Sequence, residues 1–427
     1  MILAYRILTN LLYPLLLILI YYRKIINKED PIRYKEKILV SYFNVREKEN
    51  SKLIWFHAAS IGEFKSIIPI INQLNLKRQN LKFLITTNTL SSGNLAKKEL
   101  KKIVNAEHRY FPYDVSFIID KFLSLWKPDV IFLVDSELWP NLILKAKKYK
   151  IPIALINARL TYKSFKRWMI FSRAAKKIFQ VFDLFICSNS ETKNYLEKLK
   201  LKNIYFKGNI KLADNVDKEK IKNFNEEILL KSNFWFAAST HKEEDLFCLQ
   251  THIKLKESIK DVITIIAPRH IVRSEEIKSL SEKLNLNTQI LNPNENILDN
   301  KEIIIINYFG ALKSYFKYAR SIFMGKSMFI KYKNEGGQNP IEAAKLDCKI
   351  YHGPYVSNFR DIYMILSNNK ISKQISSYDE LSKNLIHDFK NLGNINFQSK
   401  NTVDSLGEET LIETMKIINN FLNYEYK

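Results

Sequence analysis

Short apolar runs alternate with amphipathic stretches along most of this chain, and no other feature restricts its fold as strongly. Strands that read as continuous apolar runs are typical of parallel sheets, which helices cover on both faces. The sequence therefore predicts an α/β fold with parallel strands. The predicted strands occupy residues 53–57, 83–87, 130–134, 153–157, 184–188, 234–238, 262–267, 303–306, 321–324 and 349–352.

A lysine-rich segment, residues 214–231, interrupts the alternation near the middle of the chain. A chain of 427 residues is also too long for one hydrophobic core. We therefore expect two Rossmann-like domains, residues 30–210 and residues 211–405. Residues 1–29 precede them as a hydrophobic segment, and a helix within residues 406–427 is expected to return to the first domain.

Glycine is rare in this chain, which has only ten among 427 residues, whereas an average protein has roughly 7 % glycine. Where glycine persists, the expected cause is a positive φ or the close approach of a ligand. Several of these glycines therefore mark candidate sites within short polar motifs, namely Gly62, Gly208, Gly310, Gly325, Gly336, Gly337 and Gly353.

The chain carries 67 Lys and Arg against 44 Asp and Glu, a formal charge of +23. Two explanations fit this excess: a compositional bias towards Lys along the whole chain, or an anionic partner such as a membrane lipid, a nucleic acid or a phosphorylated substrate. The sequence has no zinc finger, RNA-recognition signature or basic-region heptad, which argues against a nucleic-acid partner.

The three cysteines are scattered and form no Cys-x-x-Cys pair, and the seven histidines form no His-Glu-x-x-His motif. There is also no Asp-x-Asp motif of the kind that holds a divalent ion against a diphosphate. The sequence therefore predicts no disulfide framework, no metal site and no bound cofactor.

Residues 7–22 are almost entirely apolar and are followed by Arg23, Lys24 and Lys28. A spanning helix needs about 20 apolar residues, a length that this segment reaches only when its ends are counted. It lacks the small-residue cleavage site of a signal peptide. We expect a single-pass or monotopic membrane anchor, with the body on the cytoplasmic side because the positive charges follow the apolar stretch. The alternative is a buried first helix.

Residues 60–63, Ser-Ile-Gly-Glu, follow the first predicted strand. One interpretation is a helix capping box formed by Ser60 and Glu63. The other is a catalytic carboxylate, since open α/β sheets bind ligands at the carboxyl ends of their strands, where His57, Ser60 and Glu63 are expected to face one opening. Glu63 can act as a general base there if its surroundings raise its pKa.

Asp135 and Glu137 follow the strand at residues 130–134. A carboxylate beside Glu63 would raise its pKa or hold a cation, whereas the structural alternative is a helix cap. Lys211 lies behind a rare glycine at the predicted domain junction, although a lysine in this chain is usually just a solvated side chain.

In the second half, Arg269 and His270 follow a predicted strand and offer donors for phosphate or carboxylate. Residues 336–342, Gly-Gly-Gln-Asn-Pro-Ile-Glu, predict a helix start with Asn339 as N-cap, Pro340 at N1 and Glu342 at N3. The two glycines would let a phosphate approach the helix start. The missing third glycine and the missing Gly-Lys-Ser/Thr ending exclude a dinucleotide fingerprint and a P-loop.

Taken in order, these motifs resemble the 3-deoxy-D-manno-octulosonic acid (Kdo) transferases of lipopolysaccharide assembly, over nearly the whole chain. The matching motifs are Trp-Phe-His-Ala-Ala-Ser-Ile-Gly-Glu at 55–63, Ser-Glu-Leu-Trp-Pro-Asn at 136–141, Asn-Ala-Arg-Leu at 157–160, Gly-Asn-Ile-Lys at 208–211, Ser-Thr-His at 239–241, Pro-Arg-His at 268–270, Gly-Gly-Gln-Asn-Pro-Ile-Glu at 336–342 and Asn-Phe at 358–359.

The resemblance implies a GT-B glycosyltransferase fold, in which an acceptor-binding domain and a CMP-Kdo-binding domain flank a central cleft. It implies inverting, metal-independent transfer of Kdo from CMP-Kdo to the lipid A precursor lipid IVA at the inner membrane. It implies no nucleic-acid partner, although a basic nucleic-acid binder is one of the alternatives. A different GT-B enzyme, such as a nucleotide-sugar epimerase, and a nonenzymatic nucleotide-binding module remain alternatives.

The resemblance also assigns roles to individual residues. Glu63 matches the proton acceptor, and Asp135 and Lys211 match the positions that stabilise the transition state. The chain departs from the family pattern at Asp135, where Glu is usual, and around residues 307–312, where an acidic motif is altered. The CMP-contacting stretches correspond to Arg269, His270, Phe309, Gly310, Ala311, Asn339, Pro340, Ile341 and Glu342.

Overall fold

The structure, a computed structural model, describes residues 2–43, 51–78, 80–391 and 399–425. It divides into two compact units, one of Met1–Asp214 with Gly407–Lys427 and the other of Asn215–Leu406. Each unit contains one seven-stranded sheet. All paired strands within both sheets are parallel, so the predicted α/β class is confirmed.

The sheet of the first unit has the strand order β3-β2-β1-β4-β5-β6-β7. Its two faces are both covered, because neighbouring residues of β1 enter different cores: Trp55 packs in one hydrophobic cluster and Phe56 in the other. The strands are β1 Lys52–His57, β2 Leu81–Thr87, β3 Ala106–Tyr110, β4 Val130–Val134, β5 Ile153–Ala158, β6 Leu184–Cys187 and β7 Ile204–Phe206.

The sheet of the second unit has the order β10-β11-β9-β8-β12-β13-β14. Trp235, Phe323 and Tyr351 are buried in one of its cores. The strands are β8 Phe234–Thr240, β9 Ile263–Pro268, β10 Thr288–Leu291, β11 Ile303–Ile306, β12 Ser321–Met324, β13 Lys349–His352 and β14 Ser372–Gln374.

Helices connect the strands within each unit. The last of them, α17, begins in the second unit and ends in the first, where Met415, Ile418 and Leu422 are buried in the core. The helices are α1 Ile2–Leu11, α2 Tyr13–Ile25, α3 Ile61–Lys77, α4 Leu90–Glu99, α5 Ser116–Trp126, α6 Pro140–Lys148, α7 Tyr162–Ile170, α8 Ser172–Phe179, α9 Ser190–Lys198, α10 Glu226–Lys231, α11 Glu244–Lys256, α12 Ser274–Glu282, α13 Leu312–Phe316, α14 Ile341–Lys345, α15 Arg360–Asn368, α16 Tyr378–Lys390 and α17 Ser399–Glu425.

All ten predicted strands are present, and they are the central strands of the two sheets. The four strands that the sequence does not predict, β3, β7, β10 and β14, are the four sheet edges. Central parallel strands are buried on both faces and read as apolar runs. Edge strands are shorter or more polar, as in Ala-Glu-His-Arg-Tyr of β3 and Ser-Lys-Gln of β14, so they lack that signal.

The N-terminal segment differs from the single apolar helix expected over residues 7–22. The structure instead contains α1 and α2, with a bend of 57° between them. Pro14 lies in the first turn of α2, where it cannot donate a backbone hydrogen bond and its ring displaces the preceding turn. Within the described residues, no single helix is long and apolar enough to cross a membrane, and only this bent pair meets both criteria together.

One side of the bent pair packs on the first unit. The Tyr5 hydroxyl donates to Asp114 Oδ2 over 3.0 Å, the Tyr13 hydroxyl donates to the Ile38 carbonyl over 3.0 Å, and Ile20 is fully buried. The other side is exposed and apolar, with Leu3, Ile7, Leu8, Leu11, Leu15, Ile18 and Leu19 each about half exposed or more.

In the second unit, a buried carboxylate fixes the loop after β12. Glu244 is fully buried at the start of α11. Its oxygens accept hydrogen bonds from the backbone N–H groups of His241 (3.0 Å), Lys326 (2.7 Å), Ser327 (2.8 Å) and Met328 (3.1 Å). One side chain therefore holds two loops at the carboxyl ends of β8 and β12.

We expect Glu244→Gln to lower the free energy of unfolding by about 2 kcal/mol, because the amide NH₂ would face N–H donors that now lose their acceptor. Hydrogen exchange of the amides of residues 326–328 should accelerate in parallel. The matched control is Glu243→Gln, since Glu243 forms only a surface ion pair with Lys331. Equal urea-denaturation midpoints for the two variants would contradict this role of Glu244.

Candidate active site

Glu63 lies in the first turn of α3, directly beyond the carboxyl end of β1. Ser60 is the N-cap of α3, and its Oγ accepts the Glu63 backbone N–H. The Glu63 carboxylate in turn accepts hydrogen bonds from Ser60 Oγ (2.9 Å) and from the Ala59 N–H (2.8 Å). Ser60 is therefore the N-cap as predicted, but the capping box is incomplete because the Glu63 carboxylate accepts the Ala59 N–H and not the Ser60 N–H. These bonds hold the carboxylate in one orientation.

The surroundings of Glu63 make its carboxylate more basic than an exposed glutamate. Burial raises the pKa of Glu63 above its ordinary value of 4.5, and the negative charges of Asp135 and Glu137 raise it further. The hydrogen bonds from Ser60 and Ala59 oppose this rise without cancelling it. A carboxylate with these properties is suited to accept a proton from a hydroxyl group.

Asp135 and Lys211 form a salt bridge at the end of β4. Lys211 Nζ lies 2.6 Å from Asp135 Oδ2, and both side chains are largely shielded from water. Asp135 adopts a positive φ of 61°, which is unusual for a residue other than glycine. Its other oxygen, Oδ1, is buried and accepts no hydrogen bond from the described residues.

A short 3₁₀ helix, Ile210–Ala213, presents Lys211 to Asp135. Asn209 caps it by accepting the Lys211 N–H over 3.0 Å. Asn157, at the end of β5, accepts the Ile210 N–H over 3.1 Å. Asn157 was predicted only as part of a motif, yet its side chain ties the turn that carries Lys211 to the sheet.

Glu137 and His57 also contact each other, a pairing that the sequence did not predict. Glu137 Oε2 accepts a hydrogen bond from Trp139 Nε1 over 2.7 Å and lies 3.1 Å from His57 Nε2. The prediction that His57 faces the same opening as Glu63 is wrong. Its ring is fully buried and stacks on Phe111 with a centroid distance of 3.8 Å, so it acts as a core residue that orients Glu137.

In the second unit, cationic side chains gather at the ends of β8, β9 and β12. Arg269 and His270 are exposed beyond β9, and the rings of His270 and His241 lie 5.9 Å apart. Burial, together with the positive charges of Lys326, His270, Arg269 and Arg273, lowers the pKa of His241 to about 4. Such a cluster favours an anionic ligand.

The stretch around Gly310 and the stretch that ends at Glu342 meet through an ion pair. Phe309 and Gly310 are exposed, and Gly310 has a φ of 87°. Lys313, in the helix that follows this loop, lies 2.9 Å from the Glu342 carboxylate. The structure thus brings together two of the candidate nucleotide-contacting stretches.

The helix start at residues 339–342 is shifted by one residue from the prediction. Pro340 is the N-cap and α14 begins at Ile341, while Asn339 Oδ1 accepts the Ile341 N–H over 3.1 Å. Glu342 pairs with Lys313. Asn339 therefore still caps the helix start with its side chain, although α14 begins one residue later than predicted.

Gly336 and Gly337 have structural causes of their own. A Cβ on Gly336 would lie 2.1 Å from the Tyr355 carbonyl oxygen, and Gly337 has a φ of 86°. Close backbone packing therefore explains this glycine pair without the approach of a phosphate.

Comparisons with known proteins identify the family. Residues 33–214 match the family model described as 3-Deoxy-D-manno-octulosonic-acid transferase (kdotransferase). The 3-deoxy-D-manno-octulosonic acid transferase of Rickettsia bellii (strain RML369-C) is 30 % identical, over 88 % of this chain and 88 % of that protein. The chain belongs to the Kdo transferase family. The Kdo transferase of Haemophilus influenzae (strain ATCC 51907 / DSM 11121 / KW20 / Rd) is 25 % identical over 87 % of this chain and 86 % of that protein.

Solved structures of low sequence identity share the fold of this Kdo transferase. The UDP-GlcNAc 2-epimerase of Neisseria meningitidis has a TM-score of 0.56 at 12 % identity and covers 86 % of this chain and 100 % of its own. A glycosyltransferase from Rickettsia africae ESF-5 has a TM-score of 0.54 at 13 % identity, covering 88 % and 99 %. The likeness establishes a GT-B-like fold, and the family makes this chain a glycosyltransferase.

We expect Lys211→Met to lower the free energy of unfolding of the Kdo transferase by about 3 kcal/mol, because it leaves the Asp135 carboxylate buried and unpaired. Lys211→Met combined with Asp135→Asn should recover much of that loss in urea denaturation. Lys207→Met is the matched control, since Lys207 forms a more exposed ion pair with Glu413. A loss no larger than that of the control would show that the salt bridge does not balance a buried charge.

Proposed function

We propose that this Kdo transferase moves Kdo from CMP-Kdo to the lipid A precursor lipid IVA, with inversion at the anomeric carbon, in lipopolysaccharide core assembly. The observation that carries the proposal is the Glu63 carboxylate, which is oriented by Ser60 and Ala59 and has a raised pKa. It lies at the carboxyl end of a central strand, where sheets of this class bind ligands.

The proposed transfer requires one general base and proceeds by one nucleophilic displacement at the anomeric carbon. Glu63 accepts the proton of an acceptor hydroxyl, and the hydroxyl oxygen attacks the anomeric carbon of Kdo from the face opposite the phosphate. A new carbon–oxygen bond forms while the bond from the anomeric carbon to the phosphate oxygen breaks. CMP leaves with that electron pair, and a single displacement of this kind inverts the configuration.

Lys211 and Asp135 are the proposed transition-state residues. Kdo carries a carboxylate, and negative charge grows on the phosphate of the leaving CMP. A fixed ammonium stabilises such charge most effectively where water is largely excluded. The salt bridge supports this role because Asp135 holds Lys211 Nζ at 2.6 Å while leaving its other N–H groups for a ligand.

We assign the acceptor to the domain of residues 30–210 and CMP-Kdo to the domain of residues 211–405. The exposed Arg269 supplies positive charge, and His270 a hydrogen-bond donor, for the CMP phosphate. The remaining proposed CMP contacts are Phe309, Gly310, Ala311, Asn339, Pro340, Ile341 and Glu342, and the Lys313–Glu342 ion pair joins these two stretches. These cationic side chains support transfer that needs no metal ion.

Replacing Glu63 tests the proposal directly. Glu63→Gln keeps the size and the cap but cannot accept the proton, so the rate of Kdo transfer should fall by about 10²–10⁴-fold. The measurement is mass spectrometry of the lipid product formed by purified protein, CMP-Kdo and lipid IVA in buffer containing EDTA.

Glu197→Gln is the control, because Glu197 lies in a surface ion pair with Lys193 and should transfer at the normal rate. Near-normal transfer by folded Glu63→Gln would remove Glu63 as the base. Wild-type activity that disappears in EDTA and returns with added magnesium would contradict metal independence.

We further propose that α1 and α2 attach the enzyme to the cytoplasmic side of the inner membrane. Their exposed side offers a broad apolar surface, and the basic Arg23, Lys24 and Lys28 follow it. A bent pair packed on the protein with one side and apolar on the other is suited to a monotopic position in the membrane interface. We assign the excess positive charge to anionic lipid and not to nucleic acid.

A second surface supports membrane attachment. Helices α7 and α8 follow the carboxyl end of β5, and the turn between them exposes Ile170 and Phe171, which are 73 % and 54 % exposed. Exposed apolar residues among basic ones are typical of surfaces that contact anionic lipid. The basic residues of the two helices are Lys163, Lys166, Arg167, Arg173, Lys176 and Lys177.

We expect the triple variant Ile7→Gln, Leu11→Gln, Ile18→Gln to bind vesicles of phosphatidylethanolamine and phosphatidylglycerol about tenfold more weakly or worse, because the three exposed side chains lose apolar contact with lipid. Co-sedimentation measures the change, and the unfolding midpoint should stay the same. The control carries Gln at three other exposed apolar positions, Leu76, Val104 and Val272. Equal binding by both triple variants would exclude α1 and α2 as the attachment surface.

A further inference from the structure

Gly62 differs from the other described glycines because no contact or backbone angle among the described residues requires it. Of the nine glycines that the structure describes, three have a positive φ, and a Cβ on any of five others would lie within 2.5 Å of another atom. Gly62 shows neither feature: it has no atom within 4 Å of an added Cβ, and it lies in the α-helix α3.

The presence of glycine at this position works against the stability of α3. Glycine in a helix is up to about 1 kcal/mol less favourable than alanine, and Gly62 is exposed with room for a side chain. The chain otherwise uses glycine sparingly, with ten in 427 residues. Because no contact within the described protein accounts for this glycine, its presence points to a molecule that binds beside it.

The position of Gly62 indicates which molecule. Gly62 is the residue before Glu63 in the first turn of α3. A hydroxyl that gives its proton to Glu63 must come within about 3 Å of the carboxylate. The sugar ring that carries this hydroxyl is several ångströms wide, so it also needs free space beside the carboxylate.

We propose that Gly62 is a positioning residue of the acceptor site, where the missing side chain lets the acceptor's sugar ring lie against the first turn of α3. This inference rests on the proposed function of Glu63 as the base. A methyl group at residue 62 would occupy the space of the ring and move the reacting hydroxyl away from the carboxylate. It would leave the CMP-Kdo contacts unchanged, since none of those residues belongs to α3.

The test compares steady-state kinetics of Gly62→Ala and Gly62→Val with the wild type, varying lipid IVA and CMP-Kdo separately. We expect kcat/KM for the acceptor to fall about tenfold for Ala and further for the larger Val. The KM for CMP-Kdo should not change. The unfolding midpoint of Gly62→Ala should equal or exceed that of the wild type, because alanine favours the helix.

Two controls separate blocked access from loss of structure. Gly93→Ala places a Cβ 2.3 Å from the Tyr110 hydroxyl oxygen, and neither residue has a role in the proposed site, so it should lower the unfolding midpoint without a selective change in acceptor kinetics. Leu76→Ala changes an exposed residue at the other end of α3 and should behave as the wild type.

Wild-type acceptor kinetics for Gly62→Ala would overturn the inference. If Glu63→Gln is inactive while Gly62→Ala is normal, only the role of Gly62 fails. If Glu63→Gln is fully active, the proposed base fails instead.

Discussion

The salt bridge between Lys211 and Asp135 is the interaction on which the candidate active site depends. Three carboxylates, Glu63, Asp135 and Glu137, act on one another at the ends of two neighbouring strands. Lys211 is the cation that pairs with the buried Asp135 carboxylate, at 2.6 Å. Because burying such a pair costs desolvation energy, its main effect is to fix an ammonium and a negative charge beside Glu63.

The parallel sheet of the first unit makes this arrangement possible. β1 pairs directly with β4, with His57 opposite Leu133 in the register. The residues that follow the two strands, Glu63 and Asp135, therefore approach one another although they are far apart in the sequence. Asn157, at the end of the next strand β5, accepts a hydrogen bond from Ile210 and so ties the turn that carries Lys211 to the same end of the sheet. Glu63 therefore follows β1, Asp135 follows β4, and Lys211 comes from the turn after β7.

The sequence alone was sufficient for the central strands and for the residue types at their ends, because buried parallel strands and rare glycines leave strong local signals. The sequence was insufficient to predict features that are determined by tertiary contacts. The edge strands, the pairing of His57 with Glu137 and the contacts of Glu244 depend on neighbours distant in the sequence. The bend at Pro14 shows local proline geometry overriding an apolar pattern.

The most direct measurement of the central claim is the pH dependence of kcat/KM for Kdo transfer by the wild type and by Glu137→Gln. A general base is inactive when protonated, so activity falls as the pH drops through the pKa of Glu63. The acidic limb of the wild type should lie above the ordinary glutamate value of 4.5. Removing the charge of Glu137 should move it to lower pH. A limb at the ordinary value, or one that does not move in Glu137→Gln, would contradict a base whose pKa is set by burial and neighbouring carboxylates.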